Sequence, residues 1–376
     1  MSRAVRYKKH LTTLQVFLSI VLVLLTVCVL VKAFFLKAPE QKAAELPAQS
    51  AASDTDSQQS PEEQAAQEAL RSHLERKGGF YTILLSGLDD DNGGSDTNIL
   101  VAVDTVNGYV YGVSIPRDSK AIIDGKARKI NYAYNKGGTE LLADTVSEQL
   151  GIPVDYTVSV NLKGFTALVD AIGGVDYEVP YNMDYDDPTQ DLHIHYKKGM
   201  QHLNGEDAVK VLRWRKNNSG ESLSVGDVGR VEVQHSFLRA LAKEMVSLGT
   251  LTKIGEIVDI VDRNLESNLD YGEMIWFGER ALGLKEGSIR FHNLPGDYTG
   301  TMWSPTYQNY QSYVFVNSSA LRDLINQYMN PYLEDITPDM QHVVQDTTVN
   351  NLPVESDTTA QTGQAAGDAA QGQTTD

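Results

Sequence analysis

Hydrophobic positions fall into three regimes along the chain. From Leu11 to Leu36 the sequence reads LTTLQVFLSIVLVLLTVCVLVKAFFL, an apolar run interrupted by one charge, Lys32. From Ala38 to about Gln67, and again from about Gln341 to the end, Ala, Gln, Ser, Thr, Pro and acidic residues leave almost nothing to bury, so both segments read as disordered. Between them lie about 270 residues with the composition of a folded domain. There, short β-branched and aromatic runs predict strands at Phe80–Leu88, Asn98–Asp104, Tyr109–Ile115, Val154–Val160 and Val175–Val179. Apolar positions at helical spacing predict helices at Thr139–Leu150, Leu162–Ala171, Gly205–Arg215 and Val228–Leu248. Further on, Gly272–Leu284 and Ser319–Met329 read as helices, with short strands near Ser288–Leu294 and Tyr313–Val316. Interleaved strands and helices predict an α/β class, a mixed β-sheet with helices on both faces, an α-β-α sandwich. Only a short turn separates Asp104 from Tyr109, which predicts an antiparallel hairpin and argues against a purely parallel sheet.

The apolar run is long enough to be a membrane span. At about 1.5 Å per residue, Leu11 to Val31 alone covers a bilayer interior of about 30 Å. Arg3, Arg6, Lys8 and Lys9 precede it, whereas Lys32 and Lys37 are the only basic residues close after it. That asymmetry predicts a cytoplasmic N-terminus and an external remainder. A cleavable signal peptide would have a shorter core and a small-x-small site soon after; Phe34, Phe35 and Leu36 follow instead. The expected organisation is therefore a cytoplasmic start (1–10), a transmembrane signal anchor (11–36), a disordered stalk (37–67), an extracytoplasmic domain (68–340, core 80–249) and a disordered tail (341–376).

Charge sharpens this division. The formal net charge is −18, yet the first 40 residues hold six Lys or Arg and one acidic residue, Glu40. The part beyond carries 26 basic and 49 acidic residues and is close to −23. Such a domain is excluded as a non-specific nucleic-acid binder and does not lie flat on an anionic membrane. The lone cysteine, Cys28, falls in the predicted span, so the external domain has no disulfide.

Against that acidic background, four polar constellations stand at element ends. Gly87-Leu88-Asp89 closes an apolar strand, and an acidic, glycine-rich turn leads through Gly94, Ser95 and Asp96 to the next. Carboxylates at the end of a buried strand face the ligand-binding edge of an α/β sheet, and Asp89 and Asp96 can converge on a hard cation such as Mg²⁺. Ser114-Ile115-Pro116-Arg117-Asp118 puts an arginine where another strand ends. Arg213-Trp214-Arg215 presents two guanidinium groups on one face if extended. Asp227, a candidate N-cap, opens the long helix on which Arg230 and Gln234 lie one turn apart. Arg117, Arg213, Arg215 and Arg230 together read as a phosphate pocket, since arginine suits bidentate phosphate contacts. Carboxylates, a divalent ion and arginines suit phosphoryl chemistry on a pyrophosphate.

The ordered motifs LLSGLD…SDTNILVAVD, VSIPRDS, KINYAYNKGG, VNLKGFTALVDAIGGV, LNGEDAVKVLRWR and GDVGRVEVQ resemble the LytR-CpsA-Psr family over Phe80 to Gly249, with a continuation to about Tyr332. The resemblance implies a membrane-anchored phosphotransferase of the bacterial cell wall, on the outer face of the cell membrane of a Gram-positive-type bacterium. It would move an anionic glycopolymer such as teichoic acid, or a capsule polymer, from a polyprenyl-pyrophosphate carrier to peptidoglycan. It also implies Asp89 and Asp96 as ligands of Mg²⁺, with Mn²⁺ as an alternative, and Arg117, Arg213, Arg215, Arg230 and Gln234 around the pyrophosphate, with Asp89, Asp96, Arg117 and Arg230 as the catalytic set. The polyprenyl tail would fill an apolar groove between sheet and helices. Two positions depart from the family pattern: Gly94 and Val233 stand where arginine is usual. Restoring arginine at 94 is expected to tighten binding. The other reading these departures leave open is a non-catalytic scaffold or regulator that binds lipid-linked glycans.

The remaining polar signals are weaker. His193 and His195 share one strand face by their i, i+2 spacing, a metal-binding arrangement for which no Cys or third His stands nearby. Asn131 and Tyr134 read as residues that order their loop, and the Tyr-rich stretch Thr301–Tyr313 as packing rather than sugar stacking.

Overall fold

Phe80–Leu88 is buried along most of its length, and its side chains divide between two cores. Phe80 and Leu84 face one side of the sheet, Tyr81 and Ile83 the other, as in strands covered on both faces. The structure is a computed structural model that describes residues 38–42, 74–88, 93–189, 191–219, 227–245, 254–281, 283–284, 287–304 and 308–343. The predicted span 11–36, residues 43–67 of the predicted stalk, the tail beyond 343 and Asp89 lie outside the described residues. Among the described residues, no helix is long and apolar enough to cross a membrane.

In chain order the strands are β1 (Phe80–Leu88), β2 (Ser95–Asp104), β3 (Tyr109–Pro116), β4 (Lys120–Ile123), β5 (Lys126–Lys129), β6 (Tyr156–Val160), β7 (Val175–Val179) and β8 (Met183–Asp187). They continue with β9 (Leu192–Tyr196), β10 (Gly199–Leu203), β11 (Leu265–Ser267), β12 (Ile289–Asn293), β13 (Gly296–Asp297), β14 (Thr301–Ser304), β15 (Asn309–Ser312) and β16 (Phe315–Val316). The helices are α1 (Asn131–Leu150), α2 (Leu162–Ile172), α3 (Gly205–Arg213), α4 (Asp227–Met245), α5 (Ile254–Asn264), α6 (Tyr271–Ala281) and α7 (Ser318–Leu324), the last running into a wide turn at Ile325–Met329.

The central sheet is six-stranded and mixed, in the order β11-β6-β1-β2-β3-β12. β1 pairs antiparallel with β2 and parallel with β6; β2 pairs antiparallel with β3, and β3 parallel with β12. The C-terminal ends of β1, β3, β6 and β12 therefore share one edge with the start of β2. On one face Leu84, Leu100, Val113 and Ile115 pack against Leu142, Val146 and Leu150 of α1 and against Leu321, Ile325 and Met329. On the other face Tyr81, Ile83 and Tyr156 meet Trp276 and Phe277 of α6. There too His235 of α4 stacks on Phe291 of β12, with ring centroids 5.3 Å apart. Gly112 makes room for this layer, because a Cβ there would sit 2.4 Å from the Phe291 ring. The expected mixed sheet with helices on both faces is thus present. A second core gathers β7 to β10 with α2, α3 and α4 around Val211, Trp214, Val233 and Phe237.

Some boundaries differ from expectation. α1 begins at Asn131 rather than Thr139, but Gly137 and Gly138 break its helical backbone, so the apolar half detected in the sequence is its second segment. Residues 38–42, assigned to a disordered stalk, are instead fastened to the domain. Gln41 donates to the carbonyls of Lys77 and Phe80 at 2.9 and 2.6 Å, and the Lys42 amide donates to Asp155 Oδ1 at 2.9 Å. Polar backbone partners hold this strap, which composition alone does not register.

Candidate functional site

The shared C-terminal edge of the sheet is built by a bulge and a turn. Gly87 pairs with Thr97 but Leu88 pairs with Ser95, so Asp96 is an extra residue on β2 with no partner on β1. Such a bulge re-aims the side chain it carries. Asp96 is exposed at this edge, and Arg117, directly after β3, reaches it: Nη1 donates to Asp96 Oδ1 at 2.5 Å. Arg117 Nε also lies 3.8 Å from Asp118 Oδ1, and Lys129 Nζ reaches that oxygen at 2.9 Å. Arg117 and Asp96 each remain about two-fifths exposed, 46% and 40%. A pair this open contributes about 0–1 kcal/mol, so an anion can take the guanidinium from the carboxylate at little cost.

The backbone around Arg117 is held from below by α1. The Asn131 amide donates to the Arg117 carbonyl at 3.2 Å, in keeping with a loop-ordering role. Asn131 Oδ1 is buried without a partner. Gly94 lies beside Asn135 with φ +99°, and a Cβ there would stand 3.1 Å from Asn135 Oδ1. The left-handed backbone explains glycine at this position and disfavours the expected gain from arginine.

From the other face, α4 is tied to β3. Ser114 Oγ and His235 Nε2 are 2.5 Å apart, three residues before Arg117. His235 is buried, and desolvation pushes its pKa down to about 4, so it is neutral at pH 7. Gln234 is the half-buried neighbour of His235 on this helix. Arg230 lies one turn earlier; its side chain, like that of Asp227, is outside the described part of the structure. Val233 is buried in the second core, so its position has been taken into packing. Arg213 ends α3 and Arg215 follows it, both exposed, while Trp214 between them is buried with Val233 and Phe237 and donates from Nε1 to Asn217 Oδ1 at 3.1 Å. The alternation expected for this tripeptide is present, although Arg213 itself is helical.

One polar feature escaped the sequence reading. Ser86 pairs across the sheet with Asn98 on β2 and Ser159 on β6, one row in from the edge that carries Asp96. All three are 1% exposed, and Thr139 Oγ1 of α1 lies 3.1 Å from Ser159 Oγ. Ser95 donates to Asn98 Oδ1 at 2.8 Å, but Asn98 Nδ2 and Ser86 Oγ have no partner. Buried polar atoms left unpaired are uncommon, and these two lie just inside the strand-end edge. Each of the three strands carries other polar residues too, and only the sheet register brings these three together.

Chemically, this edge can bind an anion through Arg117 and offer a carboxylate oxygen to a hard cation through Asp96. Oxygen donors are what Mg²⁺ takes, so Asp96 fits the ion in kind; the second expected ligand, Asp89, lies outside the described residues.

Comparison with known proteins gives this arrangement a context. The chain is 36% identical over 199 residues to the Bacillus subtilis strain 168 polyisoprenyl-teichoic acid–peptidoglycan teichoic acid transferase TagV, spanning about half the length of each (50% and 50%). It is 36% identical over 254 residues to TagU of Bacillus cereus strain AH820, a transferase of the same designation, covering 65% of this chain and 77% of TagU. Among solved structures, B. subtilis TagV superposes with a TM-score of 0.55 at 29% identity, over 66% of this chain and 95% of TagV. TagT bound to LI-WTA does so with 0.52 at 25% identity, over 68% of this chain and 91% of TagT. The LytR_cpsA_psr family model matches residues 44–330, most of the chain, and the protein is therefore a member of the LytR-CpsA-Psr family.

Proposed function

We propose that this protein is a membrane-anchored, Mg²⁺-dependent phosphotransferase. It moves an anionic or capsular glycopolymer from a polyprenyl-pyrophosphate carrier to peptidoglycan, forming a phosphodiester, with slow pyrophosphate hydrolysis as a side activity. The observation that carries this reading is the exposed Asp96–Arg117 pair at the C-terminal edge of the sheet, in a chain whose relatives are named teichoic acid transferases. Residues 11–36 anchor it, with the acidic domain on the outer face of the cell membrane.

In the reaction, a peptidoglycan sugar hydroxyl attacks the phosphorus bonded to the glycan. A new P–O bond forms, the P–O–P bridge breaks, polyprenyl monophosphate leaves with the bridging oxygen, and the hydroxyl proton is released. Arg117 exchanges Asp96 for pyrophosphate oxygens, and Arg213, Arg215, Arg230 and Gln234 complete the anion cradle. Asp89 and Asp96 would hold Mg²⁺, which would supply charge neutralisation at the pyrophosphate. Ser86 and Asn98 offer unpaired polar atoms just inside the same edge.

A second reading, a non-catalytic scaffold that binds lipid-linked glycans, is favoured by Val233 and Gly94. One position is packed into a core and the other has a backbone that resists a side chain, so two guanidinium groups usual in the family are absent. A coupling assay separates the two. Full-length protein in detergent is mixed with a labelled polyprenyl-pyrophosphate glycan, peptidoglycan and Mg²⁺. Label made resistant to lipid extraction, and lost on chelation, supports the transferase; glycan binding with no coupling supports the scaffold.

A further inference from the structure

The β8–β9 hairpin lies apart from the strand-end edge and carries unused chemistry. Its register sets Asp184 opposite His195 and Asp186 opposite His193. With a side-chain period of two, all four stand on one face. The other face holds Met183, Leu192 and Ile194, buried in the second core with Tyr185 packed against them. A slip of one residue would expose that apolar set, so the polar face is fixed by the core behind it.

We propose that this exposed face binds a divalent transition-metal ion of the zinc type through His193, His195 and Asp186, with Asp184 holding the His195 ring in place through its other nitrogen, Nδ1. Among the described residues, Asp186, His193 and His195 are the group whose donor atoms converge for a metal, all within 4.8 Å of one another. The geometry is more specific than two separate His–carboxylate pairs. Asp186 Oδ1 is shared: it contacts His193 Nδ1 and lies 3.2 Å from His195 Nε2. The second nitrogen of His195, Nδ1, lies 2.8 Å from Asp184 Oδ1. Two imidazoles directed at one carboxylate oxygen surround a point that an ion can occupy after small rotations of exposed side chains. Zinc ligands lie about 2.0–2.2 Å from the metal and so stand about 3.3–3.6 Å from one another, a separation these exposed side chains reach by small shifts that open the contacts at Asp186. Imidazole with carboxylate selects zinc-type ions over Mg²⁺ or Ca²⁺, which take oxygen ligands.

The sequence supplied the histidines by spacing, with no Cys or third His nearby; the fold provides a carboxylate from the neighbouring strand. Bound metal also reaches the segment after Arg215. The Asp184 and Asp186 amides donate to Asn217 Oδ1 at 2.8 Å and Asn218 Oδ1 at 2.6 Å, and the Asn218 amide donates to the Asp184 carbonyl at 3.0 Å. The ion braces the strand on which that segment rests. Nothing in this depends on the transferase reading.

The test is a Co²⁺ titration of the full-length protein in detergent, purified without a polyhistidine tag, with millimolar Mg²⁺ present to fill any oxygen-ligand site. The expected result is saturable one-to-one binding with the visible absorption of a low-coordinate cobalt–imidazole site, reversed by equimolar Zn²⁺. Removing supporting groups of a metal site commonly costs 10–100-fold in affinity, so His193→Asn and His195→Asn are each expected to weaken binding at least about tenfold. Asp96→Asn is expected to leave it unchanged. X-ray absorption of the zinc-loaded wild-type protein needs no variant and is expected to show two imidazole ligands. Absence of saturable binding, equal affinity in the His193→Asn/His195→Asn double variant, loss of binding in Asp96→Asn, or a zinc shell without imidazole would each overturn the proposal.

Discussion

Arg117 is the residue on which the site turns. Its pairing with Asp96 is exposed and weak, which leaves the guanidinium available for a phosphate and leaves the carboxylate available for a cation. A charge-assisted contact is worth about 1.5–3 kcal/mol, so Arg117→Ala is expected to weaken binding of a polyprenyl pyrophosphate roughly ten- to a hundredfold, measured by equilibrium titration. Arg117→Lys should recover only part, since it keeps the charge without the planar fork. At Gly94 the backbone argues against the gain expected from arginine. At φ +99° and close to Asn135, arginine there is strained, and Gly94→Arg is expected to cost about 1–3 kcal/mol in urea unfolding rather than tighten the ligand. His235 gives a pH signature. Its pKa is depressed from 6.5 to about 4 in the folded protein, so the unfolded chain binds the extra proton first as pH falls. Stability from this group is fully present above pH 6.5 and is lost progressively down to about pH 4, by up to about 3 kcal/mol. Stability of the His235→Gln variant should be flatter with pH over that window; an equal slope in both proteins would remove His235 as the cause.

At the scale of elements, what was legible in the sequence followed burial. β1, β2 and β3 are covered on both faces and announce themselves as apolar runs. The short hairpins β4–β5 and β8–β9 do not: KARK and MDYDD are charged strands whose order comes from one buried face and from neighbours distant in sequence. α1 was half seen because its two glycines do interrupt it. Asp96 and Arg117 were found because strand ends can be read locally. The row Asn98–Ser86–Ser159 could not be, since only sheet register brings three separate strands together. The same holds for Arg76, whose guanidinium donates to both oxygens of Asp155 at 2.9 and 2.8 Å, in a pair 9% and 0% exposed. Asp155 also accepts from the Thr82 amide and hydroxyl at the start of the sheet. Removing one partner of a buried pair strands the other, so Asp155→Ala is expected to destabilise the protein by about 3–5 kcal/mol in denaturant unfolding.

Across the whole molecule, structure and charge separate two ends of one sheet. The strap 38–42 is fastened where β1 and β6 begin, through Gln41 on the Phe80 carbonyl and Glu40, whose carbonyl accepts from Tyr156 Oη at 2.8 Å. Asp96 and Arg117 lie at the opposite edge, about 30 Å away along the nine residues of β1. A chain that is close to −23 beyond residue 40 thus keeps an arginine at the mouth of its sheet, where an anion gains most from it. Whether that mouth is a catalytic centre is decided most directly by turnover of a polyprenyl-pyrophosphate glycan by full-length wild-type and Asp96→Asn protein, with Mg²⁺ and with chelator. The expected result is Mg²⁺-dependent release of polyprenyl monophosphate by the wild type, reduced at least about a hundredfold in Asp96→Asn, since loss of one group that stabilises transition-state charge costs about 10²–10³. Unchanged Mg²⁺-dependent turnover in a folded Asp96→Asn protein would contradict the site described here.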